Sequence, residues 1–204
     1  MQQVKNIIFD LGGIFLDIDF SKTFNAFSQL GYPHFYELYT QHHASDLFIQ
    51  LETGAITPGQ FCALFRQDSG TDLSNDQIFF AWNALLGGFP PARIQWLDAI
   101  RKKYQVYLFS NTNKIHHAVF SETFRRSNNG TEFDSYFIKS YYSHEMGMRK
   151  PDPGSFLYII NELGIDPAET VFIDDTFKNI EGAQVAGLQT IFLPPPKTVL
   201  DTDL

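Results

Sequence analysis

One cysteine, Cys62, stands in 204 residues. No disulfide can close within the chain, and a reducing compartment is expected. Basic residues are scarce. Fifteen Lys and Arg against 23 Asp and Glu leave a formal charge of -8, and no basic run exceeds Arg101-Lys102-Lys103. An acidic surface repels nucleic-acid backbones and anionic lipid, so neither is an expected partner. No apolar run reaches membrane-spanning length. Met1-Gln2-Gln3-Val4-Lys5 lacks the long apolar stretch of a secretory signal, and the expected address is the cytoplasm. Repeats and low-complexity tracts are missing. Asn129-Gly130-Thr131 fits a glycosylation pattern but reads as an Asn-Gly turn. Pro194-Pro195-Pro196 reads as the end of a last strand and an extended tail.

What is abundant is apolar surface. Hydrophobic residues make up 44% of the chain and 21 of them are Phe, enough for one full core plus a smaller satellite domain dominated by aromatic burial. Val4–Phe9 reads as a buried strand ending in Asp10-Leu11-Gly12-Gly13. Val106–Phe109, Val171–Ile173 and Thr190–Leu193 read the same way. Such nearly all-apolar runs suit a parallel sheet covered on both faces.

Helical signals fill the intervals. Ser21 is expected to cap a helix through Phe24, Phe27 and Leu30 that stops at Gly31. Thr57-Pro58-Gly59-Gln60 and Ser74-Asn75-Asp76-Gln77 are capping boxes, each with an apolar staple pair. Ala92–Lys103 and the stretch from Asp152-Pro153 to Gly164 complete the set. A helical block of about 70 residues between the first two strands is too long for one crossover. The expected fold is therefore α/β: a doubly wound, Rossmann-like parallel sheet with an inserted helical cap. The core would span 1–16 and 91–204, and the cap 17–90.

In such a sheet ligands bind where the strands' carboxyl ends meet. Those ends carry Asp10, then Ser110-Asn111-Thr112-Asn113, then Asp174-Asp175, with Lys150 just before the helix that opens at Pro153. Each alone is an ordinary turn, loop or cap residue. Together, in this order, they bring three carboxylates, a hydroxyl, an amide and a cation to one edge. Crowded carboxylates need a cation, and oxygen donors suit Mg²⁺. With Lys150 it would neutralise a phosphoryl group, Ser110 and N–H groups near Asn111 would bind its oxygens, and one carboxylate would be left to attack phosphorus.

These segments resemble the haloacid dehalogenase-like hydrolases. Ile7-Ile8-Phe9-Asp10-Leu11-Gly12-Gly13 is similar to the first motif, Leu108-Phe109-Ser110-Asn111 to the second, and Gly147-Met148-Arg149-Lys150-Pro151-Asp152-Pro153 to the third. Val171-Phe172-Ile173-Asp174-Asp175 with Asn179 is similar to the fourth. The resemblance covers essentially the whole chain and extends to the subgroup whose helical cap follows the first motif. The flanking stretches look closest to the bacterial α-D-glucose-1-phosphate phosphatases. It implies an Mg²⁺-dependent phosphatase acting on a small phosphate monoester, a sugar phosphate, through an aspartyl-phosphate on Asp10. Ser110 and Lys150 are the implied catalytic partners, Ser110, Asn111 and Lys150 bind the phosphoryl group, and Asp10, Gly12, Asp174 and Asp175 bind the metal.

One departure stands out. The family's phosphatases usually carry a second Asp, a general acid/base, where this chain has Gly12, a Gly that the sugar-phosphate phosphatases it resembles share. Loss of such a group typically costs about 10²–10⁴-fold in rate. A catalytically weak or silent relative acting in binding therefore stays open, as does a dehalogenase-type hydrolase, although that chemistry gives Asp174-Asp175 no purpose. A sugar-phosphate mutase is disfavoured by Gly12, and a phospho-accepting signalling module by the late acidic pair. Asp17 and Asp19 are weak candidates to replace the missing acid. Glu52-Thr53-Gly54 reads as a helix stop, with a substrate-facing Glu52 as the alternative. His116 and His117 read as packing or solvated residues, Cys62 as a small core residue, and His42-His43 lacks zinc-ligand spacing.

Overall fold

Apolar runs separated by capped helices become one parallel sheet with helices on both faces and a helical insertion after the first strand. The computed structural model describes residues 4–40 and 43–204; Met1–Gln3 and His42 thus lie outside the described residues. In chain order the elements are β1 (Asn6–Phe9), α1 (Phe20–Gln29), β2 (Tyr39–Thr40), β3 (His43–Ala44), α2 (Asp46–Glu52), α3 (Pro58–Ser69), α4 (Asn75–Asn83), α5 (Pro91–Ile100), β4 (Gln105–Ser110), α6 (Lys114–Ser127), β5 (Lys139–Tyr142), α7 (Ser143–Met146), α8 (Pro153–Leu163), β6 (Thr170–Asp174), α9 (Phe177–Val185) and β7 (Gln189–Phe192).

The sheet order is β5-β4-β1-β6-β7, and each neighbouring pair is parallel. β1 is central, with Phe9 in register with Leu108 of β4 and Ile173 of β6. The carboxyl ends of all three therefore finish side by side. Alternation along β1 sends Ile7 and Phe9 into one core layer and Ile8 into the other, as period-two geometry requires.

The insertion has its own core. Phe35 is fully buried, stacked on Phe27 at 4.1 Å and edge-on to Phe48 at 5.6 Å, with Phe65 and Trp82 also within ring contact. Cys62 is buried there as a small apolar residue. Both capping boxes form, Thr57 with Gln60 and Ser74 with Gln77. The first helix departs from expectation: Asp19, not Ser21, is its cap. The Asp19 carboxylate accepts from the Ser21 backbone N–H at 3.0 Å and from its hydroxyl at 2.5 Å. An ionised Asp offers both an acceptor and favourable charge at the helix start, and wins over the hydroxyl.

Two chain crossings join the insertion to the sheet. They run antiparallel, with Ile18 bridged to Leu86. The Asp17 N–H donates to Gly88 O at 3.0 Å, and the Gly87 N–H to Asp17 O at 2.8 Å. A Cβ on Gly87 would lie 2.8 Å from that Asp17 oxygen, so the neck closes only on a glycine. Asn129 and Gly130 both take positive φ, the turn expected of Asn-Gly. β5 was not expected; Lys139-Ser140-Tyr141-Tyr142 has too few aliphatic residues to announce a strand. Among the described residues no helix is long and apolar enough to cross a membrane.

Candidate active site

Asp10 is the first residue past β1, and its backbone N–H still donates to Ile173 O at 2.9 Å. The ladder thus aims the residue at the end of the sheet. Ser110 closes β4 and Asp174 closes β6. Lys150 arrives from the loop after α7 and is 1% exposed. Its ammonium donates to Asp10 Oδ1 at 2.6 Å and to Asp174 Oδ2 at 2.8 Å. One carboxylate oxygen from each of Asp10, Asp174 and Asp175 lies within 4.8 Å of the others. Asp174 is held in turn by the Thr176 N–H at 2.7 Å and the Asn179 amide at 3.0 Å.

The electrostatics follow from this crowding. Burial raises the Asp10 carboxyl to about 7; Lys150 opposes the rise, while Asp174 and Asp175 add to it. Burial also lifts Asp175 to about 6, with Asp174 contributing. For Lys150 burial works against the charged form, yet its two carboxylate partners outweigh it and hold the ammonium above its ordinary range. Three carboxylates around one ammonium leave unbalanced negative charge. An all-oxygen donor set with that charge fits a small divalent cation such as Mg²⁺.

Glycine makes the approach possible. Gly13 sits at φ +73, and a Cβ there would lie 2.3 Å from Asp175 Oδ2. Only a residue without a side chain lets the first loop and Asp175 meet. Gly12 is not in that conformational region, and its missing side chain leaves room shared with Ile18, whose Cγ1 is 3.3 Å from where a Cβ would stand. Neither aspartate weighed as a substitute acid is available. Asp17 pairs with Arg93 at 3.0 Å, and Asp19 is spent on its helix cap.

Asn111 acts differently from a simple phosphate ligand. Its side-chain amide donates to Lys150 O at 2.9 Å and accepts from the Lys150 N–H at 2.9 Å. Both ends of the amide are committed to fixing the lysine's backbone. Asn113 caps α6 by accepting from Ile115 and His116 N–H. Thr112 is latched to Ser143 by reciprocal bonds of 2.9 Å.

Above these groups lies a cavity of about 300 Å³. Its floor includes Asp10, Ser110, Lys150 and Asp175, and its far wall comes from the helical insertion, including Tyr39 and Glu52. Glu52-Thr53-Gly54 is a helix stop as read, with Thr53 as cap and Gly54 at φ +68. Glu52 also lines the cavity, so the two readings are compatible. His116 packs its ring on Trp82 at 4.4 Å, bonds Asn83 through Nδ1 at 2.9 Å and borders the cavity. Burial lowers it to about 3, so it stays neutral. Sequence reading missed Tyr39, Arg149 and Gly13 as parts of the site. Arg149, beside Lys150, carried the one available hint.

Comparison with known proteins agrees with this geometry. The D-ribitol-5-phosphate phosphatase of Bacteroides thetaiotaomicron is 31% identical over 188 residues, covering 92% of this chain and 90% of the relative. A wild-type HAD family enzyme of the same organism, solved in complex with magnesium and inorganic phosphate, superposes with a TM-score of 0.82. It is 35% identical and covers 95% of this chain and 96% of its own. A predicted HAD-like family hydrolase from Porphyromonas gingivalis gives a TM-score of 0.86 at 29% identity, covering 96% and 93%. Residues 4–187 match the haloacid dehalogenase-like hydrolase family as a whole. The family match over most of the chain, and the relative covered almost end to end, show that the chain belongs to the haloacid dehalogenase-like hydrolases.

Proposed function

We propose that this chain, a phosphatase of the haloacid dehalogenase-like family, hydrolyses the phosphate monoester of a small polyol or sugar. The observation that carries the reading is the Asp10–Lys150–Asp174 cluster, with Asp175 beside it, under a cavity sized for a small metabolite. The relative that acts on D-ribitol 5-phosphate supports the polyol class. We place the cap at 17–90 and the catalytic core at 1–16 and 91–204.

Asp10, the carbonyl of Gly12, Asp174 and Asp175 would hold Mg²⁺, which when bound neutralises charge on the phosphoryl oxygens. Ser110, the backbone near Asn111 and the Lys150 ammonium bind the same group from the other side. An Asp10 oxygen attacks phosphorus as the ester oxygen departs, forming an aspartyl-phosphate. The departing oxygen takes its proton from solvent; water then attacks that phosphorus, gives up a proton to solvent, and returns the Asp10 carboxylate with inorganic phosphate. Lys150 offsets negative charge at Asp10 throughout.

Gly12 supports a second reading within the class. No side chain there protonates the leaving oxygen, and Ile18 makes the adjoining wall apolar. Esters whose leaving group is already a weak base suffer least, as with a sugar 1-phosphate. This agrees with the resemblance to glucose-1-phosphate phosphatases. The experiment is kcat/KM with Mg²⁺ for D-ribitol 5-phosphate, α-D-glucose 1-phosphate, glucose 6-phosphate and an aryl phosphate, with chelator as control. Turnover that survives chelation overturns the metal-dependent phosphatase. A higher value for glucose 1-phosphate than for both primary esters selects the second reading. Gly12→Asp, sterically open once Ile18 yields a few tenths of an ångström, is expected to rescue the primary esters about tenfold or more and the aryl ester little.

A further inference from the structure

The cap meets the catalytic core at an ion pair between a buried carboxylate and a partly exposed guanidinium. Glu52, at the end of α2, is 2% exposed. Its Oε1 accepts from the Tyr39 hydroxyl at 2.7 Å and its Oε2 lies 3.0 Å from Arg149 Nη2. Beside it Gly54 presses on α7, the helix that precedes the loop carrying Lys150. A Cβ at Gly54 would fall 2.1 Å from His144 O. Arg149 is the residue before Lys150, and Lys150's own N–H and C=O are both bonded by Asn111. The two-residue segment is thus gripped from opposite sides, by the cap through Arg149 and by the core through Asn111. Its far end delivers the ammonium to Asp10 and Asp174.

An ion pair with a buried carboxylate is a costly way to hold two surfaces together, because the Glu52 charge leaves water. A well-packed apolar pair would join cap and core without that cost. What the ion pair adds is selectivity of place: Arg149 Nη2 is the charge 3.0 Å from Glu52 Oε2, and moving it away would leave a buried carboxylate uncompensated. We propose that Glu52 is a positioning residue for the phosphate subsite, acting through Arg149 to fix Lys150, so that cap docking and phosphate affinity are coupled. The proposal deepens the phosphatase reading and rests on it for the role of Lys150.

The test compares wild type, Glu52→Gln, Arg149→Met and the double variant. Glu52→Gln keeps an oxygen for Tyr39 but removes the charge; Arg149→Met, at a partly exposed position, keeps the stem and tests the same link from the core side. Calorimetry reads the affinity for inorganic phosphate with Mg²⁺, and kinetics read kcat/KM for an aryl phosphate and for D-ribitol 5-phosphate. Each single change is expected to weaken phosphate about tenfold, and the double variant no further than the poorer single, as for two residues acting as one unit. Both substrates should lose equally, and Arg149→Lys should recover part of the loss. Unchanged phosphate affinity overturns the proposal. So do additive losses, and so does a loss confined to the ribitol ester, which would mark Glu52 as a substrate contact. A wild type that binds phosphate yet hydrolyses no ester removes the phosphatase reading while leaving the coupling measurable.

Discussion

The two walls of the cavity are built from different chemistry. The sheet side concentrates charge, with Asp10, Lys150 and Asp174 bonded together and buried and the half-buried Asp175 beside them. The cap side rests on aromatic packing around Phe35 and Trp82, with Glu52 as its charged intruder. On one side the fold holds groups that would repel each other if left unpaired. On the other it maximises apolar burial. Activity should therefore be sensitive to the sheet wall and stability to the cap wall.

Asp10→Asn gives the largest expected effect. It removes the proposed nucleophile with almost no change of shape, and kcat should fall by at least about 10³-fold. Its denaturation midpoint in chelator should not drop. Retained turnover would exclude Asp10 from the chemistry and break the comparison at its centre. Next is Phe35→Ala, which empties the middle of the cap's aromatic cluster. Loss of a fully buried Phe costs about 3–5 kcal/mol, read by urea denaturation. Activity below the melting range should fall far less than in Asp10→Asn. A cost under about 1 kcal/mol would show that the cap is not held by this cluster.

The smallest effect is a difference between two pH profiles. The Asp10 carboxyl is raised to about 7 in the folded protein from an ordinary 3.8. The native state thus holds this proton more tightly than the unfolded chain does. Its contribution is fully present below about 3.8 and is lost as pH rises through 7. Buried His116, lowered to about 3, acts in the opposite direction, so the wild-type profile alone would blur the signal. Asn at position 10 does not titrate. The melting temperature of Asp10→Asn minus that of wild type, without metal, should therefore climb between pH 4 and 7 and then level off. Mg²⁺ should narrow the gap most at the alkaline end, where it meets the ionised carboxylate. A flat difference would show that Asp10 is not strained by its surroundings.

The same contrast explains what could be read in advance. The sheet wall was legible because strand ends are punctuated. Apolar runs stop at Asp10, Ser110 and Asp174, and parallel topology brings consecutive stops to one edge. Lys150 was legible from its place before a capped helix. The cap wall was not, because helical periodicity shows which residues face inward but not which face a neighbouring domain. Glu52 looked like the last residue of a helix, and it is. Its partner Arg149 lies 97 residues away, and no local rule links them. Asn111 is intermediate: it follows the strand end as the sequence indicates, and its side chain is bonded to the lysine's backbone. Gly13 was seen as loop, while its need for an absent side chain depends on Asp175 across the sheet.

The neck between the walls has a mechanical consequence. Asp17 both donates to Gly88 and accepts from Gly87, and Ile18 pairs with Leu86 one step further on. Sliding one crossing past the other would break both bonds at once. Swinging the two together, as a ribbon flexes across its flat face, leaves both intact. The neck therefore resists sideways sliding of the cap more than bending across its flat face, and so keeps Glu52 in line with Arg149.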